Sequence, residues 1–405
     1  MENREQIKSG WFIDIHDCCG CGACEQICPK ACITMLRDSE GFEIPQKELS
    51  GCIQCNRCQD VCPVFNQWQV NIENKECYAC RTLDEDLLEN SSSGGVFTHL
   101  AEVVLEYGGI VLGAAFDENW NVKLLAIKNK TDIYRLRGSK YVAASVRHTY
   151  QETKKALQEE KWVLYSGTPC QIAGLKHYLG GKNYETLITV DIMCHGVPSP
   201  KVWNKYLEEI AQNKIIKQIN FRSKVFGWDR YALQITDNEK DILVLESNSR
   251  NIYMRGFLNN LYNRRSCSKC PARGFNNGSD ITIGDYWELE RQNDSVRDNK
   301  GMSLVIIHTH RGKSWIERIK NKMEMTEVDY NGILSSGCHR TLLKSASAHP
   351  NRSHFFRCLD DVNVVSDLIE LELQGAIVQK ENFIKTMGIV LHQQYHKILH
   401  LWRKR

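Results

Sequence analysis

Eight cysteines near the start of the chain repeat one spacing that is suited to metal-cluster chemistry. In each run three cysteines are separated by two residues, and a fourth follows after three more residues, directly before a proline. In this C-x2-C-x2-C-x3-C-P pattern three thiolates hold one [4Fe–4S] cluster, and the fourth reaches the other cluster. Zinc knuckles are the alternative, but four-ligand zinc sites do not need two interlocked quartets. The predicted ligands are Cys18, Cys21, Cys24 and Cys62 for the first cluster and Cys28, Cys52, Cys55 and Cys58 for the second.

Four further cysteines in this part of the chain lie outside the two quartets. We interpret Cys19 and Cys32 as buried thiols rather than ligands, because free cysteine is among the most buried residue types. Cys77 and Cys80 have the spacing of half a metal site. One such pair is weak evidence for a metal, so we interpret it as structural or incidental, and the sequence does not define its role.

A second set of cysteines follows two apolar runs and ends in another closely spaced pair. Cys170 and Cys194 each come just after an apolar run that predicts a strand. If these strands are parallel neighbours, both thiols lie at the carboxyl edge of a sheet, where α/β folds bind ligands. Cys267 and Cys270 add a pair at metal-ligand spacing. The four residues are suited to a third cluster, to a four-cysteine zinc site, or to no common site.

Two segments carry residues that are suited to binding a phosphorylated ligand. Neither G-x-G-x-x-G nor a P-loop occurs in the sequence, so the standard nucleotide fingerprints are missing. Hydroxyl and glycine residues at 91–95 precede a helical stretch, where backbone N–H groups attract an anion. The segment 137–142 combines two cations with a glycine and an aromatic ring. The alternatives are an ordinary helix cap and a solvated basic turn.

The composition defines the class of protein that carries these groups. The chain has 405 residues, 42% of them hydrophobic and 25% charged, which is typical of a folded protein with two or three domains. The formal net charge of +3 gives no indication of nucleic-acid binding. No apolar run resembles a signal peptide or a membrane span, so we expect the protein in the cytoplasm. Thiols stay reduced there, which favours metal ligands over disulfides for the 18 cysteines.

Beyond the cysteine-rich start, short apolar runs alternate with amphipathic stretches, as expected for α/β folding. Three strand candidates at 215–221, 231–236 and 242–246 interrupt this alternation and predict a mixed sheet or an inserted β element. The other predicted strands lie at 110–115, 162–166, 186–193, 281–285 and 303–308. The predicted helices lie at 148–159, 200–212 and 313–323.

The changes in pattern also divide the chain into domains. The cysteine-rich part contains a hairpin whose turn lies at 38–41. The last residues carry an apolar helix face between Ile384 and Trp402, which predicts a packing surface for this domain, a second copy or another partner. The predicted domains are 1–70, a two-cluster unit; 75–160 and 161–340, the two parts of an α/β body; and 345–405, a helical extension.

Several segments of the α/β body resemble the family of coenzyme F420 hydrogenase/dehydrogenase beta subunits. They occur in the order of the family and span most of the chain. The segments are SSSGGVF at 91–97, LRGSKYV at 136–142, GTPCQIAGL at 167–175, DIMCHGVPSP at 191–200, the pair Cys267 and Cys270, and SDITIGDYW at 279–287.

This resemblance implies an iron–sulfur flavoprotein of α/β class, α+β overall. A small ferredoxin-like two-cluster domain is then fused to an α/β flavin-binding domain with a mixed sheet and a helical C-terminal extension. FAD is expected in the α/β domain, with a third [4Fe–4S] cluster on Cys170, Cys194, Cys267 and Cys270. The expected flavin contacts are Ser91, Ser92, Ser93, Gly94, Gly95, Ser139, Lys140, Tyr141 and Thr168.

The resemblance also suggests roles for residues near these groups. His195 follows an expected cluster ligand and is suited to donating a proton to reduced flavin or to substrate. The alternative is that His195 holds the cluster loop by a hydrogen bond. Arg222, Lys224 and Trp228 are suited to an anionic or planar substrate, and a basic strand end is the alternative.

Two functions follow from these expectations. The first is an FAD-dependent iron–sulfur oxidoreductase that passes electrons between ferredoxin-type clusters and FAD and acts on a small organic substrate or a deazaflavin-like cofactor. Ferredoxin or another redox protein would be its partner. The second is a non-catalytic electron-transfer subunit that links a partner enzyme to the ferredoxin pool. Relatives differ in substrate, so the resemblance defines neither the substrate nor the direction of electron flow.

Overall fold

A computed structural model describes residues 13–68, 75–288 and 298–374. The strands in these ranges are β1 Ile33–Arg37, β2 Glu43–Lys47, β3 Glu76–Thr82, β4 Ile110–Phe116, β5 Val122–Ile127, β6 Val163–Gly167, β7 Leu187–Ile192, β8 Ile216–Ser223, β9 Ala232–Asp237, β10 Ile242–Ser247, β11 Ile281–Asp285, β12 Ser303–Ile307 and β13 Met323–Glu327. The α-helices are α1 Ala23–Ile27, α2 Arg57–Asp60, α3 Glu85–Glu89, α4 Val96–Glu106, α5 Ile133–Leu136, α6 Thr149–Gln158, α7 Pro169–Tyr178, α8 Pro200–Ala211, α9 Ile252–Leu258, α10 His310–Ile319, α11 Tyr330–Ser335, α12 Arg352–Cys358 and α13 Val365–Gln374.

The large sheet has eight strands in the order β13-β3-β12-β11-β7-β6-β4-β5. Its four central strands, β11, β7, β6 and β4, are parallel, and the strands outside them pair antiparallel. The central strands are apolar on both faces because helices cover both sides of the sheet. Helices α4 and α10 pack on one face, and α6 and α7 pack on the other. The α/β prediction with a mixed sheet is confirmed.

The strand candidates that interrupt the alternation form a separate sheet. Strands β8, β9 and β10 pair antiparallel in the order β10-β9-β8. Their apolar face packs on α8 and α9 through a buried aromatic cluster that includes Trp203, Phe221 and Tyr253. This cluster fixes the small sheet beside the large one.

Some predicted boundaries are wrong, and the physical cause is visible. The helix predicted at 313–323 runs from His310 to Ile319, because the Thr309 hydroxyl accepts the Gly312 N–H and starts the helix earlier. The end of that predicted helix forms the short 3-10 helix Lys320–Lys322 and the first residue of β13. The strand β13 lies at the edge of the sheet, and its weak alternation is not revealed by the periodicity. Strands β3 and β5 are also not among the predicted strands.

The described part of the predicted C-terminal extension is helical. Helix α13 packs against α9 and α8, and α12 packs against α13. The predicted apolar face at 384–402 lies outside the described residues. In the three described ranges, no helix is both long enough and apolar enough to cross a membrane. The predicted domain boundaries stay predictions.

The cysteine-rich unit at 13–68 packs on the helices of the large sheet. Cys21, Ala23 and Val61 share a buried cluster with Tyr150 and Ile172. A side chain on Gly174 of α7 would prevent this contact, since a Cβ there would lie 3.0 Å from the Cys21 sulfur. The absence of a side chain at Gly174 therefore lets the unit approach the sheet.

Gln26 provides a buried polar contact in this interface. Its side-chain oxygen accepts the backbone N–H of Tyr150 at 2.9 Å and of Gln151 at 3.3 Å, at the start of α6. Gln26 is only 5% exposed. The amide thereby joins the cysteine-rich unit to a helix 124 residues away in sequence.

We expect Gln26→Leu to destabilise the fold by about 1–3 kcal/mol, because two backbone donors lose their acceptor in a buried place. Thermal unfolding of protein purified without oxygen measures the effect as a lower unfolding temperature. Gln158→Leu, at an exposed position of α6, is the matched control and should change that temperature little. Equal unfolding temperatures for the two variants would contradict the role of Gln26.

Candidate functional site

The first predicted quartet surrounds a cavity of about 350 Å³. Cys18, Cys21, Cys24 and Cys62 line it, so the fourth ligand comes from the second cysteine run. Burial raises the pKa of the Cys24 thiol well above its ordinary value. A metal must displace that proton, because thiolates and not thiols are metal ligands.

The second predicted quartet surrounds another cavity, of about 400 Å³, nearer the surface. Cys28, Cys52, Cys55 and Cys58 line it together with Cys32. Backbone N–H groups already approach this site: Gln54 donates to the Cys52 sulfur at 3.4 Å, and Cys32 donates to the Cys28 sulfur at 3.3 Å. Such hydrogen bonds to thiolates tune the potential of a cluster.

The third set of cysteines comes from three distant segments. Cys170 lies in the first turn of α7 after β6, and Cys194 follows β7. Strands β6 and β7 are parallel neighbours, which brings both residues to one edge of the sheet. Cys267 and Cys270 reach the same place from the short turn Arg265–Lys269 and its end. The four cysteines line one cavity of about 380 Å³.

The cysteines of these three cavities are not arranged around a single ion. In the part of the chain that the structure describes, no three His, Cys, Asp or Glu side chains converge tightly enough to chelate one metal ion. The cysteines instead surround a space, which suits a polynuclear cluster better than zinc, whose sulfur ligands lie about 2.3 Å from the metal. Burial raises the pKa of Cys267 to about 12 and that of Cys270 to about 11.

Cys19 lies between the first and the third cavity. It lines both of them. Its thiol lies within hydrogen-bond reach of Cys170 on one side and of Cys21 on the other. The sequence predicts a buried thiol here, but Cys19 is half-buried and forms part of a shared wall. The consecutive cysteines 18 and 19 are the only sequence signal of this role.

A larger cavity of about 1210 Å³ lies at the carboxyl ends of the parallel strands. Its lining includes Ile192 at the end of β7, Met193 directly after it, and Gly284 and Asp285 of β11. The expected flavin contacts that line it are Ser91, Ser92, Ser93, Gly95, Ser139, Lys140, Tyr141 and Thr168.

Gly94 is the expected flavin contact that does not line this cavity. Its N–H donates to the Ser303 hydroxyl at 2.8 Å, and the residue packs against the backbone of β3. A Cβ at this position would lie 2.0 Å from the Cys80 carbonyl oxygen. Gly94 therefore allows the loop to pass close to the sheet, and its neighbours face the cavity.

Ser92 joins the two loops that border the cavity. Its hydroxyl accepts the backbone N–H of Ser139 at 2.7 Å. Its carbonyl accepts hydrogen bonds from Arg222 at 3.0 Å and from the Trp228 indole at 3.1 Å. Arg222 also forms a bidentate ion pair with Asp285, at 2.8 and 3.1 Å. The basic strand end thus has a carboxylate partner that the sequence did not reveal, and Arg222 positions the loop.

Two cations at the cavity have no carboxylate partner in the described residues. The Arg137 Nε atom is buried without a hydrogen-bond partner. Lys140 donates to the carbonyls of Arg135 and Arg137, at 3.1 and 2.9 Å, and burial lowers its pKa to about 7. Unpaired cations favour an anionic ligand. The cavity therefore favours a large anionic ligand.

Thr168 connects the large cavity to the third cysteine cavity. It lines the former, and its hydroxyl oxygen lies 3.2 Å from the sulfur of Cys170, which lines the latter. The first and the third cysteine cavity and the large cavity therefore form one series, in which Cys19 and Thr168 mark the junctions next to Cys170.

His195 lies next to Cys194 but is not part of the lining of the large cavity. Its ring packs edge-on against Phe257, with ring centroids 5.3 Å apart, and burial lowers its pKa. A proton donor must reach the reacting atom. This location favours the alternative in which His195 supports the cluster loop.

Cys77 and Cys80 lie three positions apart on β3 and face opposite sides of the sheet. Cys80 packs in the core beneath α4, and Cys77 packs in the core around Trp228. Burial raises the pKa of each thiol to about 12. The pair is a structural feature of the sheet and not half of a metal site.

Comparisons with known proteins agree with the motifs of the sequence. Residues 160–331 match the family described as coenzyme F420 hydrogenase/dehydrogenase, beta subunit (C terminus), and residues 77–149 match the N-terminal part of the same family. Residues 17–66 match the 4Fe-4S dicluster domain. The cysteine-rich unit and the α/β body therefore each match a known family.

Three individual proteins illustrate the similarity. The F subunit of the F420H2 dehydrogenase from Methanosarcina mazei is 22% identical, over 78% of this chain and 87% of that protein. An uncharacterised protein from Methanocaldococcus jannaschii is 23% identical, over 78% of this chain and 90% of its own length. A chain in the F420-reducing [NiFe] hydrogenase complex from Methanosarcina barkeri is 17% identical and covers 76% of this chain and 92% of its own, with a TM-score of 0.43.

We expect Gly94→Ala to destabilise the protein by about 1–3 kcal/mol, because the added methyl group overlaps a backbone carbonyl that cannot move independently of β3. Thermal unfolding measures the loss. Gly337→Ala adds the same group where no atom lies within 4 Å, so it should leave stability nearly unchanged. Two variants of equal stability would contradict the tight packing of this loop.

Proposed function

Because the chain belongs to the family of coenzyme F420 hydrogenase/dehydrogenase beta subunits and carries a 4Fe-4S dicluster domain, we propose that it is an FAD-dependent iron–sulfur oxidoreductase. The family consists of oxidoreductase subunits, and the dicluster domain accounts for the two cysteine quartets. The proposal adds three assignments to this family membership, namely a third cluster, bound FAD and catalysis on a small molecule.

The observation that carries the proposal is the continuity of the first and the third cysteine cavity with the large cavity. Cys19 lines the first and third cysteine cavities, and Thr168 contacts Cys170 from the large cavity. A series of redox groups must be closely spaced to pass electrons, and shared walls supply this spacing. The second quartet stands at the outer end, where Cys55 is exposed. Electrons would enter or leave there, by way of ferredoxin or another redox protein.

Residues of the large cavity would hold FAD. Arg137 and Lys140 are suited to its pyrophosphate, and the hydroxyl and N–H groups around Ser92 and Ser139 are suited to its polar groups. When bound, FAD supplies the exchange between single electrons and hydride transfer. The chain contributes binding, orientation and a loop that Arg222 holds in place.

The second reactant would be a small organic molecule or a deazaflavin-like cofactor. A deazaflavin is supported by the name of the family and by that of the similar protein from Methanosarcina mazei, which belongs to an F420H2 dehydrogenase. The same name favours the second candidate function, a non-catalytic subunit that delivers electrons to a partner enzyme. Turnover of a small molecule by the purified chain with an electron donor alone would separate the two.

The cofactor content of protein purified without oxygen tests the proposal first. We expect about twelve iron atoms, a similar amount of acid-labile sulfide and one FAD per chain, corresponding to three [4Fe–4S] clusters. Cys170→Ser should lose about four iron atoms. Cys358→Ser, which changes a half-buried cysteine in α12, should lose none. A content of about eight iron atoms without flavin would leave only a two-cluster carrier.

Lys140 should make FAD binding depend on pH. Because burial lowers the pKa of Lys140 to about 7, the side chain is charged below that pH and neutral above it. An anion binds the charged form better, so we expect the affinity for FAD to fall by up to about tenfold per pH unit above pH 7. Quenching of FAD fluorescence on binding, followed from about one pH unit below this pKa to about two units above it, measures this.

Two variants provide the comparison for this pH dependence. Lys140→Arg keeps its charge throughout the range, so its affinity should stay constant with pH. Lys140→Met should bind FAD weakly and equally at every pH. A wild-type affinity that does not change with pH would contradict the assignment of Lys140 to a phosphate group.

A further inference from the structure

Arg264 occupies the wall between the first and the third cysteine cavity. The residue is 7% exposed and lines the third cavity. Its guanidinium donates to the Cys18 carbonyl at 3.3 Å and to the Glu43 carbonyl at 3.0 Å, and it lies 4.7 Å from the centre of the Phe42 ring. Arg264 thus touches the backbone of a first-quartet cysteine and faces the third quartet.

The charge of Arg264 has no counter-charge in the described residues. Its hydrogen bonds go to backbone carbonyls and not to a carboxylate, and its Nε atom is buried without a partner. A buried, unpaired cation costs several kcal/mol. Such a residue is expected only where a negative group comes close, and a [4Fe–4S] cluster on four thiolates carries net negative charge. Two such groups, one on each side, would neutralise the cation.

The electrostatic neighbours of Arg264 belong to two quartets and not to the outer one. Arg264 acts on the thiols of Cys18 in the first quartet and of Cys170 and Cys267 in the other. The outer quartet has a cation of its own, Lys47, beside Cys58. Arg273 also lines the third cavity, but it donates to the carbonyls of Cys194 and Thr341, away from the first quartet. Arg264 is therefore the cation that these two sites share.

We propose that Arg264 sets the reduction potentials of the first and the third cluster together. The inference rests on the proposed function, because it requires both clusters. Each cluster takes up one electron from an external reductant such as dithionite, and no covalent bond is formed or broken in this step. The nearby positive charge stabilises the added electron on either cluster, so both potentials are raised. Because both potentials move in the same direction, the driving force for electron transfer between the two sites changes little.

A purely structural role for Arg264 predicts that its replacement leaves the reduction potentials unchanged. The residue joins the cysteine-rich unit to the α/β body, since Cys18 and Glu43 lie in the former and Arg264 in the latter. If this clamp were its whole role, the geometry of the guanidinium would matter and its charge would not. Reduction potentials separate the two roles, because a clamp changes stability and leaves intact clusters at their original potentials.

The test compares Arg264→Met with Arg264→Lys in the full chain, with anaerobic redox titrations followed by electron paramagnetic resonance. For Arg264→Met we expect two of the three clusters to become harder to reduce by at least tenfold in the equilibrium constant, about 59 mV for a one-electron couple. Arg264→Lys keeps the charge and should stay near the wild type. The outer cluster is the internal reference and should not shift. Arg250→Met removes an exposed arginine as the matched control.

Two results would overturn the inference. One is that no potential moves in Arg264→Met while iron and unfolding temperature are retained. The other is that the potentials shift equally in Arg264→Lys and Arg264→Met, or that the potentials of all three clusters shift together. In either case the charge of Arg264 would not be the cause. If Arg264→Met loses iron, Arg264→Gln replaces it in the same comparison. If the wild-type protein contains only about eight iron atoms, the third cluster is absent and the proposed function is wrong. This result is distinguishable from the other two, because it is obtained without any Arg264 variant.

Discussion

The contact between the cysteine-rich unit and helix α7 is the interaction on which the functional arrangement depends. Gly174 leaves room for Cys21, and Gln26 fixes the unit to the start of α6. Only in this position do the first and the third cysteine cavity share a wall. The contact is apolar at its centre, which stabilises it, and the hydrogen bonds of the buried Gln26 amide define its orientation. The α/β body supplies the large cavity, and this contact brings the first cysteine quartet close to it.

Buried charge has two different solutions in this protein. Arg222 is paired with Asp285 inside the chain and serves to hold the loop at Ser92. Arg137, Lys140 and Arg264 have no such carboxylate in the described residues, and each lines a cavity. Paired cations therefore belong to the scaffold, and unpaired cations mark the places where a negative group is expected. This distinction depends on geometry and is not visible in the composition.

The sequence predicts the parts of the site that depend on local spacing. The two cysteine runs, and Cys170 and Cys194 at the ends of apolar runs, could be found because ligand spacing and strand ends are local patterns. The wall formed by Cys19 and Arg264 could not, since it joins residues 245 positions apart that no short motif connects. Gly94 belongs to the motif at 91–97, but the motif does not reveal its role. The residue lets the loop pass close to β3. Strand β13 was missed because only one of its five residues is buried, so its hydrophobic pattern is weak.

The exposure of Cys55 affects where oxidation first reaches the protein. Cys55 is the one exposed cysteine among the 18, all of which lie in the described ranges. Susceptibility to oxidation follows exposure and thiolate character, so dioxygen and peroxide reach the outer end of the series first. Damage there would interrupt exchange with the redox partner and leave the inner cavities intact. We therefore expect oxidative damage to begin at the outer quartet, at a distance from the large cavity.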